Sequence, residues 1–137
     1  MTQAAAADAT KGQDGSVPVT YGGADDPRIA SREAADLQAR FFRALGDATR
    51  VQLLHLLLAS PAGECSVGEL VIALGAPQNR ISTHLGCLRW CGLVQARRLG
   101  KQVLYRVADP RVRELLVLGG AVLRDHAAGV AGCGIVR

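Results

Sequence analysis

Two cysteines, Cys87 and Cys91, stand four residues apart in the run His84-Leu85-Gly86-Cys87-Leu88-Arg89-Trp90-Cys91. On a helix, positions i and i+4 are neighbours on one face, so this spacing sets two sulfurs side by side. Thiolates are soft ligands that favour soft, polarisable cations such as Cd, Pb or Hg, with Zn also compatible. Two sulfurs alone complete a linear site or half of a larger one, so a third ligand must come from elsewhere in the chain or from a partner. Cys133 is the candidate, because a thiol in the run Gly129-Val130-Ala131-Gly132-Cys133-Gly134 has no packing reason to be there. Two readings compete with metal binding. Cysteine also serves as a small buried hydrophobe, and a thiol set can sense oxidants or persulfides. Cysteines at i and i+4 on an intact helix lie too far apart to bridge without distortion, which disfavours a Cys87 to Cys91 disulfide but leaves one through Cys133 open. Cys65 is expected to pack near a helix start. A catalytic role is not expected, since neither a C-x-x-C on a βα turn nor a nucleotide-binding Gly loop occurs.

The elements that must position these thiols are mostly helices. The chain has 137 residues, 49% of them hydrophobic and 4% aromatic, which suits one domain with a core of Leu, Val and Ala. Residues 1–30 are rich in Ala, Gly, Asp and Thr without sustained apolar period, and read as a disordered arm. From Ser31, a plausible N-cap, Leu37, Phe41 and Leu45 recur at helical spacing up to Gly46. Asp47 then caps a second helix with Val51, Leu54, Leu57 and Leu58 on its apolar face, closed by Ser60-Pro61-Ala62-Gly63. A short helix from a Ser66 cap to Gly75 and another from Pro77 to about Cys91, stopped by Gly92, make a helix-turn-helix whose second helix reads DNA. Alternating residues on both sides of Leu99-Gly100-Lys101 form a β-hairpin, the wing. After Asp109-Pro110 a last helix holds Val112, Leu115, Leu116, Leu118, Val122 and Leu123, more apolar surface than one small domain covers. The expected architecture is mainly α with a small β-hairpin, a winged helix-turn-helix over 31–126 that forms a homodimer through its first and last helices. Residues 127–137 are expected to be a flexible tail bearing Cys133.

On the helix after Pro77, Ile81, Leu85 and Leu88 share a core stripe, and Asn79, Ser82, Thr83 and Gly86 share a polar face of small residues suited to a major groove. Gln78 and Arg80 lie at its N-terminal end, where base edges are usually reached. The remaining stripe is Arg80, His84, Cys87 and Cys91. Arg80, Arg89, Arg97, Arg98, Lys101, Arg106, Arg111 and Arg113 fall in one stretch of a chain with net charge +4, which favours double-stranded DNA as the partner. No secretory signal is read in the first residues, and no apolar run is read as long enough to span a membrane, so a cytoplasmic location with reduced thiols is expected.

Together, these motifs resemble the ArsR/SmtB family of winged-helix metal-sensing repressors over about residues 34–126. Ala44-Leu45-Gly46-Asp47-Ala48-Thr49-Arg50-Val51 resembles the family's signature before the helix-turn-helix, Ser82-Thr83-His84-Leu85 its S-x-H-L reading helix, and Gly92-Leu93-Val94 with Gly100-Lys101 its wing. Within the family, the string H-L-x-C-L-R-x-C-G-L-V is similar to that of cadmium- and lead-sensing members, and the likeness extends to mercury-responsive ones. The resemblance implies a dimer that binds operator DNA without metal, through Gln78, Asn79, Arg80, Ser82, Thr83 and His84 on the helix and Arg97, Arg98 and Lys101 on the wing. It implies release when Cys87 and Cys91, with Cys133 by approximate placement only, take up the metal. The C-V-C run of arsenic sensors is missing, since Cys65-Ser66-Val67-Gly68 has a single cysteine. The D-x-H start of zinc or nickel sites on the last helix is replaced by Asp109-Pro110-Arg111.

Overall fold

A computed structural model describes residues 22–23 and 25–136. Most of the N-terminal arm, residues 1–21, lies outside the described residues. Its end differs from the expectation, because Pro27–Ala30 form a 3-10 turn that the Asp26 carboxylate caps through the Arg28 N–H. Helix α1 spans Arg32–Leu45. Residues up to Arg43 and those from Ala44 onward form separate units. In the first, Ser31 Oγ accepts the Ala34 N–H at 3.2 Å as an N-cap would, and Arg32 pairs with Asp36 one turn on. The rings of Phe41 and Phe42 meet edge to face at 5.5 Å, and both side chains are exposed.

The second unit is the winged helix-turn-helix. Helix α2 spans Ala48–Ala59, strand β1 Cys65–Ser66, helix α3 Val67–Leu74, helix α4 Gln78–Trp90, strands β2 and β3 Val94–Leu99 and Gln102–Val107, and helix α5 Arg111–Gly132. The stops and starts follow local chemistry. Asp47 accepts the Arg50 N–H at the start of α2, and Ser66 with Glu69 forms a reciprocal capping box on α3. Gly75 ends α3 with φ of +62° and Gly100 turns the hairpin with φ of +60°, a region that side chains with a Cβ disfavour. Pro77 is the N-cap of α4 rather than its first helical residue.

The core consists of Leu53, Leu54 and Leu57 of α2, Leu70 of α3, Ile81, Leu85 and Leu88 of α4, Leu93 and Val94 entering the wing, and Val112 of α5. The α4 stripe is buried as its periodicity predicts. The sheet has one strand more than the expected hairpin. β1 adds to β3 through Cys65 opposite Tyr105 and Ser66 opposite Leu104, giving the antiparallel order β1-β3-β2. Two residues are too few to display an alternating pattern, so this strand is invisible to periodicity. Cys65 is half-buried beside the core.

Helix α5 also departs from expectation. It continues to Gly132, six residues past the expected boundary at 126, so the proposed tail 127–137 is helical for its first half and Cys133 is the C-cap of α5. Ala127, Ala128 and Ala131 favour helix strongly enough to carry Gly129. The expectation that no apolar run reaches membrane-spanning length is likewise corrected: α5, with mean hydropathy 1.2, is long and apolar enough by length and composition. Arg124, Asp125 and His126 interrupt its apolar stretch, and burying that charge in hydrocarbon is costly. Val117, Leu118, Val122, Leu123 and Val130 on this helix are exposed.

Candidate functional site

Helix α4 presents its polar face as the sequence predicts. Gln78, Asn79, Arg80, Ser82, Thr83 and Gly86 are all exposed. The Asn79 side chain accepts the Arg80 N–H at 2.8 Å, and the Thr83 hydroxyl donates to the Asn79 carbonyl at 2.8 Å. Both side chains therefore stay close to the helix, leaving a face of low relief. A Cβ added at Gly86 meets nothing within 4 Å, so the glycine is not required by packing inside the chain.

His84 is placed differently from the other residues predicted to contact DNA. Its side chain is 17% exposed and sits between two residues from the start of α2, with Nδ1 3.2 Å from Arg50 Nη1 and 3.7 Å from Asp47 Oδ1. A guanidinium can only donate, so Nδ1 is the acceptor in that contact. Asp47 is held below the usual carboxylate range, first by the Arg50 backbone N–H, with the charge of Arg50 adding to it. Arg50 also donates from Nε to the Ala44 carbonyl. The S-x-H-L string flagged His84 as part of the reading helix, but nothing in the local sequence revealed that it bonds to a residue 34 positions earlier.

One turn beyond His84 lies Cys87, half-buried, and one turn further Cys91, the C-cap of α4. The two positions share one stripe of α4, and Cys87 is near enough to act on the ionisation of Cys91. Partial burial pushes the Cys91 thiol above its ordinary range, the adjacent Cys87 pushes it further, and the positive charge of Arg50 opposes both. Two soft donors one helical turn apart fit half of a thiolate metal site. Cys133 is half-buried at the end of α5, and the N–H groups of Val136 and Ile135 bond to its sulfur and hold it below the ordinary thiol range. Among the described residues no three metal-ligating side chains come together, so one chain does not join Cys133 to the pair.

The wing residues divide. Arg98 and Lys101 are exposed. Arg97, also predicted to reach DNA, is engaged by Glu64: Nε lies 2.8 Å from Oε2, and Nη2 contacts Oε1. This bidentate pairing is the main cause of the lowered pKa of Glu64. Glu64 and Arg50 are the residues sequence reasoning missed.

Comparison with known proteins bears on what this arrangement serves. Residues 47–96, from the α2 cap through the first half of β2, match the model of the bacterial regulatory protein arsR family. The "Probable mercury resistance operon repressor" of Streptomyces lividans is 47% identical over 98 residues, spanning 72% of this chain and 76% of that protein. The chain belongs to the arsR family. It is therefore a DNA-binding transcriptional regulator of the winged helix-turn-helix type and not an enzyme. The HTH-type transcriptional regulator CmtR of Mycobacterium tuberculosis is 45% identical over 78 residues, 57% of this chain and 64% of CmtR, so the match spans just under two thirds of that regulator. Among solved structures, the homodimeric winged helix-turn-helix domain of an ArsR-family candidate from Mycobacterium bovis is 32% identical, with TM-score 0.61, over 77% of this chain and 92% of that one.

Proposed function

We propose that this arsR-family protein is a metal-responsive repressor that binds its operator as a metal-free homodimer and leaves it when a soft divalent ion, Cd, Pb or Hg, is taken up by cysteine thiolates. The observation that carries the reading is the pair of thiols, Cys87 and Cys91, one turn apart on the same helix whose neighbouring face exposes Gln78, Asn79, Arg80, Ser82 and Thr83. Sensing and reading share one rigid element. The relative named for mercury resistance supports the choice of soft metals. The exposed apolar residues of α5 supply the dimer surface, and Arg98 and Lys101 contact the DNA backbone.

The thiols of Cys87 and Cys91 lose their protons as they take up the ion, and Cys133 of the partner subunit completes the set, since among the described residues no third ligating side chain joins the pair. Cys133 is suited to this, because backbone N–H groups already favour its thiolate. A coupling of about 1 to 3 kcal/mol between metal and DNA lowers operator affinity about 5- to 150-fold. Fluorescence anisotropy of an operator duplex tests this with Cd, Pb and Hg added in turn. Unchanged affinity with all three sinks metal-triggered release, and a full response in Cys87→Ser sinks the site.

The low-lying Cys133 thiol also favours a second reading, a thiol-redox or persulfide sensor on the same fold. In that case mild peroxide, not metal, releases the operator, and mass spectrometry finds Cys133 oxidised.

A further inference from the structure

The three residues that meet between α2 and α4 lie beside the thiols without being ligands, and they account for how ligation could reach the reading face. We infer that Asp47, Arg50 and His84 form a latch that holds α4 in its operator-binding pose and that ligation at Cys87 and Cys91 opens it. The inference rests on the reading of that pair as a metal site and names the residues by which the site acts.

Three observations support it. First, the Arg50 guanidinium is fixed by its neighbours, with Nε on the Ala44 carbonyl and Nη1 on His84 Nδ1, while the Arg50 backbone N–H is 3.1 Å from Asp47 Oδ1. Its planar fork is rigid, so a rotation that improves one contact degrades another. Second, His84, Cys87 and Cys91 follow one another at three- and four-residue steps and share one stripe of α4. His84 is the member of that stripe that ties α4 back to the start of α2. Third, the Arg50 charge acts on the Cys91 thiol, so the guanidinium that holds His84 lies within electrostatic reach of the pair.

Charge balance supplies the driving force. Two neutral thiols attract a guanidinium weakly. A divalent ion held by three thiolates, after three protons have left to solvent, bears one net negative charge. Arg50 is a cation within reach of that charge. Turning the fork toward the sulfurs withdraws Nη1 from His84, and the helix that must match the groove loses a polar tie to the start of α2 at its middle. Arg50 is a positioning residue in this scheme, since it touches neither operator nor metal.

The test uses the full-length dimer with 15N-labelled histidine and long-range 1H–15N NMR, which distinguishes an Nδ1 that accepts a hydrogen bond from one that does not. His55→Gln and His126→Gln assign the His84 signals. Cd²⁺ is the probe, and thiolate-to-metal absorption reports that it has bound. The expected result is that Cd²⁺ shifts the His84 Nδ1 signal and that Arg50→Gln produces a similar shift without metal. Metal-free operator affinity should fall about tenfold in that variant, as loss of a charge-assisted hydrogen bond implies, and its further loss on adding Cd²⁺ should shrink at least fivefold. Arg50→Lys, which keeps the charge and a donor for the Ala44 carbonyl but not the fork, should give the same His84 shift in a protein with wild-type circular dichroism. Cd²⁺ absorption with an unmoved His84 signal, or wild-type coupling in both variants, overturns the latch while leaving the metal site standing. Absence of thiolate-to-metal absorption overturns the metal site, and the latch with it.

Discussion

At the residue scale, the instructive case is Arg97. Its position on the wing of a DNA-binding fold invites assignment to the phosphate backbone, yet Glu64 engages two of its guanidinium nitrogens. Because Arg97 lowers the Glu64 pKa, the pair's contribution is complete above the ordinary carboxylate range and is lost only as pH falls through the lowered value. At neutral pH Arg97 is thus neutralised within its own chain. Replacing Glu64 by Gln removes the opposing charge and should strengthen operator binding. If the released guanidinium then reaches a phosphate, the slope of log affinity against log salt steepens by about 0.9, the contribution of one further phosphate contact. Anisotropy titrations from low to high KCl measure that slope; an identical slope in Glu64→Gln means Arg97 does not face DNA. Glu64 and Arg97 are 33 positions apart, and Arg50 and His84 are 34 apart. No local pattern reports such pairings, whereas the spacing of Cys87 and Cys91 fixes their proximity as soon as the helix is recognised.

At the element scale, α4 was the most legible part of the molecule and α5 the least. Buried Ile81, Leu85 and Leu88 recur at three- and four-residue steps between a proline and a glycine, so type, limits and faces follow from 3.6-residue periodicity. The end of α5 has no such contrast, because its last two turns are exposed along with their glycines and only intrinsic helix preference sustains them. The polar face of α4 offers a prediction that separates folding from reading. Gly86 lies inside the helix, and an added Cβ has open space around it. Gly86→Ala should therefore stabilise the metal-free protein by up to about 1 kcal/mol, the difference in helix preference, and raise its thermal midpoint by a few degrees. Operator affinity should fall in the same variant, because the new methyl occupies the face that approaches DNA. A thermal melt and an anisotropy titration on one preparation suffice. Tighter operator binding in a more stable Gly86→Ala would show that this part of α4 stands away from the groove.

At the scale of the whole molecule, the chain is unfinished in two respects that one partner resolves. Val117, Leu118, Val122 and Leu123 of α5 expose apolar surface that a monomer leaves to water, and Cys133, at the end of the same helix, belongs to no set of three metal-ligating side chains among the described residues. If pairing of chains covers α5, it can also deliver Cys133 to the Cys87 and Cys91 of the other protomer. Mixed dimers distinguish that arrangement from a site closed within one chain. One chain has Cys133→Ser and the other has both Cys87→Ser and Cys91→Ser. A site shared across the dimer is then intact once per mixed dimer, because the first chain contributes the helix pair and the second the tail thiol. A site within one chain is intact in neither. Homodimers of either variant lack a complete set in both cases and provide the baseline. The expected outcome is that Cd²⁺ binds the purified mixed dimer at half the wild-type stoichiometry with near wild-type affinity, read by thiolate-to-metal absorption against a competing chelator. Affinity no better than that of the two homodimers would mean that Cys133 closes the site in its own chain. The dimer surface is checked on the same material: Leu118→Asp should convert it to monomers in sedimentation and abolish operator binding, because a lone winged helix engages only one half-site.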